Sequence, residues 1–432
     1  MEIGAIIFSF LMSLSFILKS TLGFIFSVPL FFYYFPKNLT LYFIPFYPIL
    51  DFFVRNNFPQ IGAIWDEGFI VLLFLIIVFR VKSNKIKFSE LIYPVLIFLL
   101  TLLLSSYFTK IDTRIAFDGI RSYLEMFLFF LIVLNFIKDK REIKNFIDLS
   151  FISVLILSLY GIYQYIMKVS IPSSWIDKDL EVSISTRAFS IFGSPNAFAG
   201  YLILLIPLIF VKFIYEKKFI KKSFYLIVLA SSLFALLFTL SRAAQLSIAF
   251  SFLLFTLLYK DKRYFIVLVV LILIAFSLPQ VRIRFLNLLS PIYLEKAKTY
   301  GRLFRWNLAI SIFQLKPIFG VGPGGFGGAV ASRLGMYEGL YVDNYYLKTL
   351  VEIGFIGIVS FLYLIFSILR KGFSNLINLI DEKEKAISLG IVLGLIAFFL
   401  NNLTENLWEI PSLSVTMWSL TAILFLFRRE NE

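Results

Sequence analysis

Leu91-Ile92-Tyr93-Pro94-Val95-Leu96-Ile97-Phe98-Leu99-Leu100-Thr101-Leu102-Leu103-Leu104 decides the fold class of this chain. The stretch is apolar on every side, so it lacks the period-2 alternation that a spanning β-barrel requires. Isolated strands leave backbone groups unpaired in hydrocarbon, whereas a helix pairs its own. A helix rises about 1.5 Å per residue, so roughly 20 residues cross a hydrocarbon core of about 30 Å. Apolar runs recur from Ile3 to Phe427, and 59% of the 432 residues are hydrophobic. A soluble domain stays near half. The clearer spans lie at 67–80, 89–108, 115–137, 145–167, 195–215, 223–240, 243–259, 263–280, 346–370, 387–404 and 411–427. The first 54 residues hold two or three more, interrupted by Tyr34-Phe35-Pro36-Lys37-Asn38, Pro45 and Pro48. Residues 1–18 lack the basic n-region and small-residue cleavage site of a signal peptide, and read as a first helix. The expectation is an all-α, polytopic transmembrane bundle of about 12–14 helices.

The net charge of +14 suggests nucleic acid until its placement is read. From Arg80 onward, every second connector is dense in lysine and arginine. Arg80, Lys82, Lys85 and Lys87 form the first group, and Lys138, Lys140, Arg141 and Lys144 the second. Lys217, Lys218, Lys221 and Lys222 follow, then Lys260, Lys262 and Arg263. Arg370, Lys371, Lys383 and Lys385 precede the closing Arg428 and Arg429. Basic short loops mark the cytoplasmic side, so the C-terminus is expected inside and the charge reports topology, with no nucleic-acid partner. The chain then divides into a transmembrane bundle at 1–280 with an outer segment at 168–194, a large periplasmic loop at 281–345, and C-terminal transmembrane helices at 346–432. The sequence has neither cysteine nor histidine. That excludes thiolate nucleophiles, imidazole bases, Ser-His triads and most zinc or haem sites.

The informative motifs gather in the outer segments. Arg187 precedes Gly193-Ser194-Pro195-Asn196, in which Ser194 and Pro195 read as N-cap and first residue of a helix. A helix N-terminus with an arginine nearby suits phosphate, although an ordinary capped helix reads the same. Thr239-Leu240-Ser241-Arg242 occupies a very short outer turn, where an arginine can simply snorkel. In Gly301-Arg302-Leu303-Phe304-Arg305-Trp306, the two arginines are neighbours at i,i+3, and their forks together match a diphosphate or face solvent as a basic edge. Trp306, Ile310 and Phe313 predict the apolar face of an amphipathic helix. Pro317-Ile318-Phe319-Gly320-Val321-Gly322-Pro323-Gly324-Gly325 lacks the Gly-Lys-Ser/Thr ending of a P-loop and reads as a turn that brings backbone close to something. Asp343, in Tyr341-Val342-Asp343-Asn344-Tyr345-Tyr346, is the carboxylate best placed for a general base; an Asp/Asn helix cap is the plainer reading. Asp118, Arg121 and Glu125 share one helix face and read as structural pairing.

Taken in order, these motifs resemble the O-antigen ligase and O-antigen polymerase superfamily. The matching residues are Arg187 with Gly193-Ser194-Pro195-Asn196 and Ala199-Gly200-Tyr201-Leu202, then Ser241-Arg242. Gly301-Arg302 with Trp306, Pro317, Gly320-Val321-Gly322, Asn344, Tyr346-Leu347, Glu352-Ile353-Gly354 and Gly357 complete the set. The resemblance implies a GT-C-like bundle similar to the lipid-phosphosugar glycosyltransferases. It implies an enzyme that moves an undecaprenyl-diphosphate-linked glycan at the periplasmic face of the bacterial inner membrane, without metal or other cofactor. By motif position, Arg187 and Arg302 act with Asp343 in catalysis, while Arg242, Arg305, Asn196, Asn344 and Tyr346 bind substrate. A ligase hands the glycan to lipid A core, and a polymerase hands it to a second lipid-linked repeat unit. The family's ligases carry a histidine where this chain has Asp343, which favours an inverting polysaccharide polymerase, with a chain-length regulator as candidate partner. A lipid-linked sugar transporter or flippase is the rival from another class; it predicts broken midplane helices and repeated halves.

Overall fold

The computed structural model describes residues 40–62, 64–80, 87–170, 186–259 and 262–427. The expected helix at 1–18, Lys82, Lys85, Lys260, Arg428 and Arg429, and the stretch 171–185 of the outer segment lie outside the described residues. No strand occurs among those described. A short 3-10 turn leads into α1 (Tyr47–Asn57), followed by α2 (Trp65–Arg80), α3 (Ile92–Thr109), α4 (Thr113–Leu124) and α5 (Phe127–Phe136). Next come α6 (Lys140–Ile166), α7 (Pro195–Tyr215), α8 (Phe219–Phe238), α9 (Arg242–Tyr259) and α10 (Lys262–Ser277). Segment 281–345 is itself folded, from the end of α11 (Pro279–Leu286) through α12 (Pro291–Thr299), α13 (Arg302–Leu315) and α14 (Ala329–Arg333). The chain finishes with α15 (Tyr345–Asn378), α16 (Glu382–Asn401) and α17 (Pro411–Leu426). Of these, α3, α6, α7, α8, α15 and α16 are long and apolar enough to cross a membrane, and α5, α9 and α17 are shorter apolar helices.

Helix α7 is the centre of the bundle, buried along nearly its whole length. It packs on α16, where Gly394 allows the α7 backbone to approach until the Leu204 carbonyl fills the space a Cβ would need. Small residues at such contacts are how apolar helices gain van der Waals contact when no hydrophobic gradient drives them together. The basic connectors gather at one end. There Lys140 Nζ meets Glu384 Oε1 at 2.8 Å, the Lys87 amide donates to Asn135 Oδ1 at 2.7 Å, and Lys221 Nζ lies 3.6 Å from Asp148 Oδ2.

Two expected helices are interrupted. The span at 115–137 is split between Leu124 and Phe127 into amphipathic α4 and apolar α5. Asp118, Arg121 and Glu125 therefore do not simply neutralise one another: Asp118 pairs with Arg333, and Arg121 with both Glu67 and Glu125. Helix α15 breaks at Gly354, whose φ of 69° and ψ of −167° only glycine adopts readily. The glycine-rich run fills the break. Val321 N donates to Val351 O at 2.9 Å, Gly322 N to Glu352 O at 2.8 Å, and Phe355 N to Pro317 O at 2.8 Å. Ser105 Oγ, on α3, donates to Phe319 O at 2.6 Å. The expected close approach of backbone is thus an approach to a broken helix, whose freed carbonyls have no water to turn to.

Below this junction lies a fully buried charge cluster. Lys348 Nζ sits 3.0 Å from Glu352 Oε2 and 3.7 Å from Glu409 Oε2, and Tyr123 Oη donates to Glu352 Oε2 at 2.8 Å. Glu352 Oε1 accepts the Phe326 amide at 3.2 Å, and Glu409 accepts the Ala329 amide at 3.2 Å. The loop before α15 is therefore fastened to α15 at both ends of the glycine run.

Gly354→Ala forces a side chain into the left-handed region and against the Ile318 carbonyl. It is expected to cost about 2 kcal/mol or more, read as a lower Tm in detergent. Gly68→Ala, in a helix with nothing within 4 Å of the new methyl, serves as the control and should leave Tm unchanged or slightly raised.

Candidate functional site

At the end of the bundle away from the basic connectors, the chain assembles an arginine–carboxylate cluster. Arg187 enters from a rigid turn before α7. Gln164 Oε1 accepts the Ser190 amide at 2.6 Å, Gln164 Nε2 donates to Ser190 O at 2.9 Å, and Ala188 N donates to Phe238 O at 2.8 Å. The buried Arg187 guanidinium donates from Nε to Thr239 O at 2.8 Å and from Nη2 to Asn196 Oδ1 at 3.0 Å. Asn196 stands in the first turn of α7, where the Ser194 hydroxyl accepts the Ala197 amide at 3.4 Å as the predicted cap. The Thr239–Arg242 turn thus supplies Arg187 with an acceptor.

Asn196 passes the link on, donating from Nδ2 to Glu405 Oε1 at 2.7 Å. Glu405 lies in the connector between α16 and α17, which winds around Asn402 and Asn406. Asn402 Oδ1 accepts the Leu407 and Trp408 amides at 3.0 and 3.2 Å. Asn406 donates to Gly327 O at 2.9 Å and accepts the Asn344 amide at 3.2 Å. This connector therefore binds the large loop and the start of α15 together and holds Glu405 inside the arginines. The sequence reading passed over Glu405. Its one mark in the sequence is weak: the charged residues of the connector after Asn401, Glu405 and Glu409, are both acids, as in many solvent-facing turns.

Arg302 completes the chain of contacts. Its Nη2 donates to Glu405 Oε1 in a short hydrogen bond, and its Nε lies 3.8 Å from Asp343 Oδ2. Arg305, one turn along α13, reaches the same Asp343 oxygen from Nη1 at 2.7 Å and donates to Tyr341 O at 2.8 Å. Asp343 has a φ of 48°, uncommon for a residue with a Cβ, and is fixed by its neighbours. Trp306 Nε1 donates to Val342 O at 3.1 Å, and Asn344 caps α15 by accepting the Tyr346 and Leu347 amides at 3.1 and 3.0 Å. The packed face of α13 runs through Trp306, Ala309 and Phe313, whereas Ile310, expected on that face, is 43% exposed.

Arg187, Asn196, Arg302, Arg305 and Asp343 are thus brought together, and Asn344 stands beside them as a helix cap. Arg242 is placed one layer away, donating to Arg284 O at 2.8 Å with its guanidinium 5.0 Å over the Tyr293 ring. The Tyr346 hydroxyl turns to α16 and donates to Phe399 O at 2.9 Å. A cavity of about 640 Å³ lies at the opposite end, among Lys87, Lys138, Lys140 and Asp381, and has no part in this cluster. Burial pushes the Glu405 carboxyl up to about 7, with Arg302 opposing and the Asp343 carboxylate adding to the rise. Chemically, the cluster offers guanidinium forks for phosphate oxygens and a carboxylate near neutrality for proton transfer.

Residues 224–362 match the O-antigen ligase family. The match spans Arg242, Arg302, Arg305, Asp343 and the glycine run, and supports the O-antigen ligase and polymerase superfamily. The family implies a glycosyltransferase-type enzyme that acts on lipid-linked oligosaccharides. No curated protein sequence matches the chain.

Burial makes the Glu405 carboxyl a weaker acid in the folded chain. The folded chain holds this proton more tightly than the unfolded chain, whose carboxyl titrates near 4.5. The stabilising contribution is complete below that pH and is lost as pH rises through about 7. Between pH 4.5 and 7, Tm of the wild type should therefore fall more steeply than Tm of Glu405→Gln, as followed by differential scanning fluorimetry.

Proposed function

We propose that this chain, carrying an O-antigen ligase family domain, is a polysaccharide polymerase of the bacterial inner membrane. It moves a glycan from an undecaprenyl-diphosphate carrier to the hydroxyl of a second lipid-linked repeat unit at the extracytoplasmic face. The observation that carries this reading is the convergence of Arg302 and Arg305 on two carboxylates, with Arg187 joined to Glu405 through Asn196, at the end of the bundle away from the basic connectors.

The bond that breaks joins the anomeric carbon to a diphosphate oxygen, so negative charge grows on the leaving group. Positioned guanidiniums stabilise that charge, and the reaction needs no metal ion at the diphosphate. In the unliganded chain, Arg302 and Arg305 are held by Asp343 and Glu405. An arriving diphosphate takes over guanidinium hydrogen bonds and releases Asp343, which then accepts the proton of the attacking hydroxyl. Attack from the face opposite the diphosphate inverts the anomeric centre. Glu405 keeps Arg302 and Asn196 aligned.

The acceptor separates two readings. A ligase would transfer to lipid A core, and the description of the matching family favours it. The absence of histidine from the whole chain, with Asp343 in the position where ligases carry one, favours the polymerase.

Purified chain in proteoliposomes, supplied with lipid-linked repeat units, should lengthen the glycan without lipid A core. Asp343→Asn should lower the rate by about 10²–10⁴-fold, the usual worth of a general base. Arg302→Ala should abolish extension in folded protein. Normal turnover by Asp343→Asn removes it as base, and transfer only onto lipid A core makes the chain a ligase. Movement of the lipid without glycosidic bond formation makes it a transporter.

A further inference from the structure

Away from the arginine cluster, where α2 begins and α4 meets α5, Asp66, Glu67 and Glu125 each direct a carboxylate oxygen to one place, the three lying within 4.8 Å of one another. Two of these carboxylates are half satisfied. Asp66 is 5% exposed, and its Oδ2 accepts from Arg55 Nη2 at 3.2 Å, but among the described residues no donor reaches its buried Oδ1. Glu67 Oε1 meets Arg121, while no donor among the described residues reaches its buried Oε2. Glu125 Oε2 is 3.7 Å from Arg121 Nε. The fully buried Tyr47 hydroxyl, within electrostatic reach of Asp51, Asp66 and Glu125, also has no hydrogen-bond partner among the described residues.

The charge is as unbalanced as the hydrogen bonding. Asp51, Asp66, Glu67 and Glu125 face only Arg55 and Arg121 among the described residues. Among the described residues, and with every acid ionised, that leaves a formal excess of two negative charges in a place where an unpaired carboxylate is heavily penalised. A hard divalent cation supplies the missing charge and takes the orphaned oxygens as ligands. Oxygens bound to Ca²⁺ or Mg²⁺ at about 2.0–2.6 Å lie at most about 5 Å apart, which the spacing of the three carboxylates meets.

We infer that Asp66, Glu67 and Glu125 form a structural binding site for one hard divalent cation, Ca²⁺ or Mg²⁺, that ties α2 to the α4–α5 junction. The site is independent of the glycan-transfer reading and places no metal at the diphosphate. Glu67 and Glu125 are half-buried, which leaves room for water in the remaining coordination positions. The competing account is a proton held between Asp66 and Glu67, which satisfies the same atoms with no ion.

The test uses purified full-length chain in non-ionic detergent, stripped with EDTA and titrated with CaCl₂ or MgCl₂ at pH 7.5. Equilibrium dialysis should count about one tightly bound ion per chain, and Tm should rise to a plateau as the site fills. Glu125→Gln and Asp66→Asn should each weaken binding at least tenfold, while Asp118→Asn, which alters an acid paired with Arg333, should bind as the wild type does. The inference is overturned if the stripped wild type binds no ion at any concentration tried; a rise of Tm at low pH that persists in Glu405→Gln and is lost in Asp66→Asn then identifies the proton account. The inference is equally overturned if Glu125→Gln binds as tightly as wild type. The wild-type ion count decides the matter even if Asp66→Asn does not fold.

Discussion

A helix embedded in hydrocarbon cannot leave a carbonyl unpaired, and the break in α15 at Gly354 exposes two, at Val351 and Glu352. The glycine-rich run is the answer, bringing Val321 and Gly322 amides to those oxygens. Much else follows from that repair. It draws the large loop onto the bundle, sets α13 against the start of α15, and fixes where Asp343 and Asn344 emerge. Side chains larger than hydrogen at the close approaches would push the two backbones apart.

Charge is handled by the same rule of complete pairing. Lys348 is enclosed by Glu352, Glu409 and the rings of Tyr123 and Tyr345. A buried ion pair contributes little net stability, yet removing one partner strands the other at a cost of about 3–5 kcal/mol. Such a cluster therefore specifies one arrangement of loop, α15 and the α16–α17 connector. The neighbouring Arg302, Arg305, Asp343 and Glu405 set differs in being partly open, with Asp343 and Arg305 each 23% exposed at the side chain. A partly exposed set of paired charges can exchange its internal carboxylates for the oxygens of a diphosphate, which a sealed cluster such as that of Lys348 cannot do.

The transmembrane helices were legible because each is a long apolar run bounded by polar residues, and α7, α9 and α17 match their expected limits within a residue. The breaks were not. Glycine is common in membrane helices, so Gly354 carries no local sign that the backbone turns there, and the interruption before Phe127 has no proline or glycine to announce it. Within the site, the i,i+3 pair Arg302 and Arg305 was legible from helical spacing alone. Glu405 was not, because an acid in a short connector reads as solvent-facing until the asparagines around it are seen to fold the connector inward. The pairing of Asn196 with Arg187 and Glu405 was hidden for the same reason, since it joins segments far apart in the chain.

The central claim is that the arginines are built for a diphosphate, and lipid binding measures this without any acceptor or turnover. Native mass spectrometry of the detergent-solubilised chain with undecaprenyl diphosphate and undecaprenyl monophosphate reads both affinities. Paired guanidinium forks predict that the wild type prefers the diphosphate by about tenfold or more, and that Arg302→Ala loses most of that preference. Equal affinity for the two lipids, or a preference that survives intact in Arg302→Ala, would contradict the account.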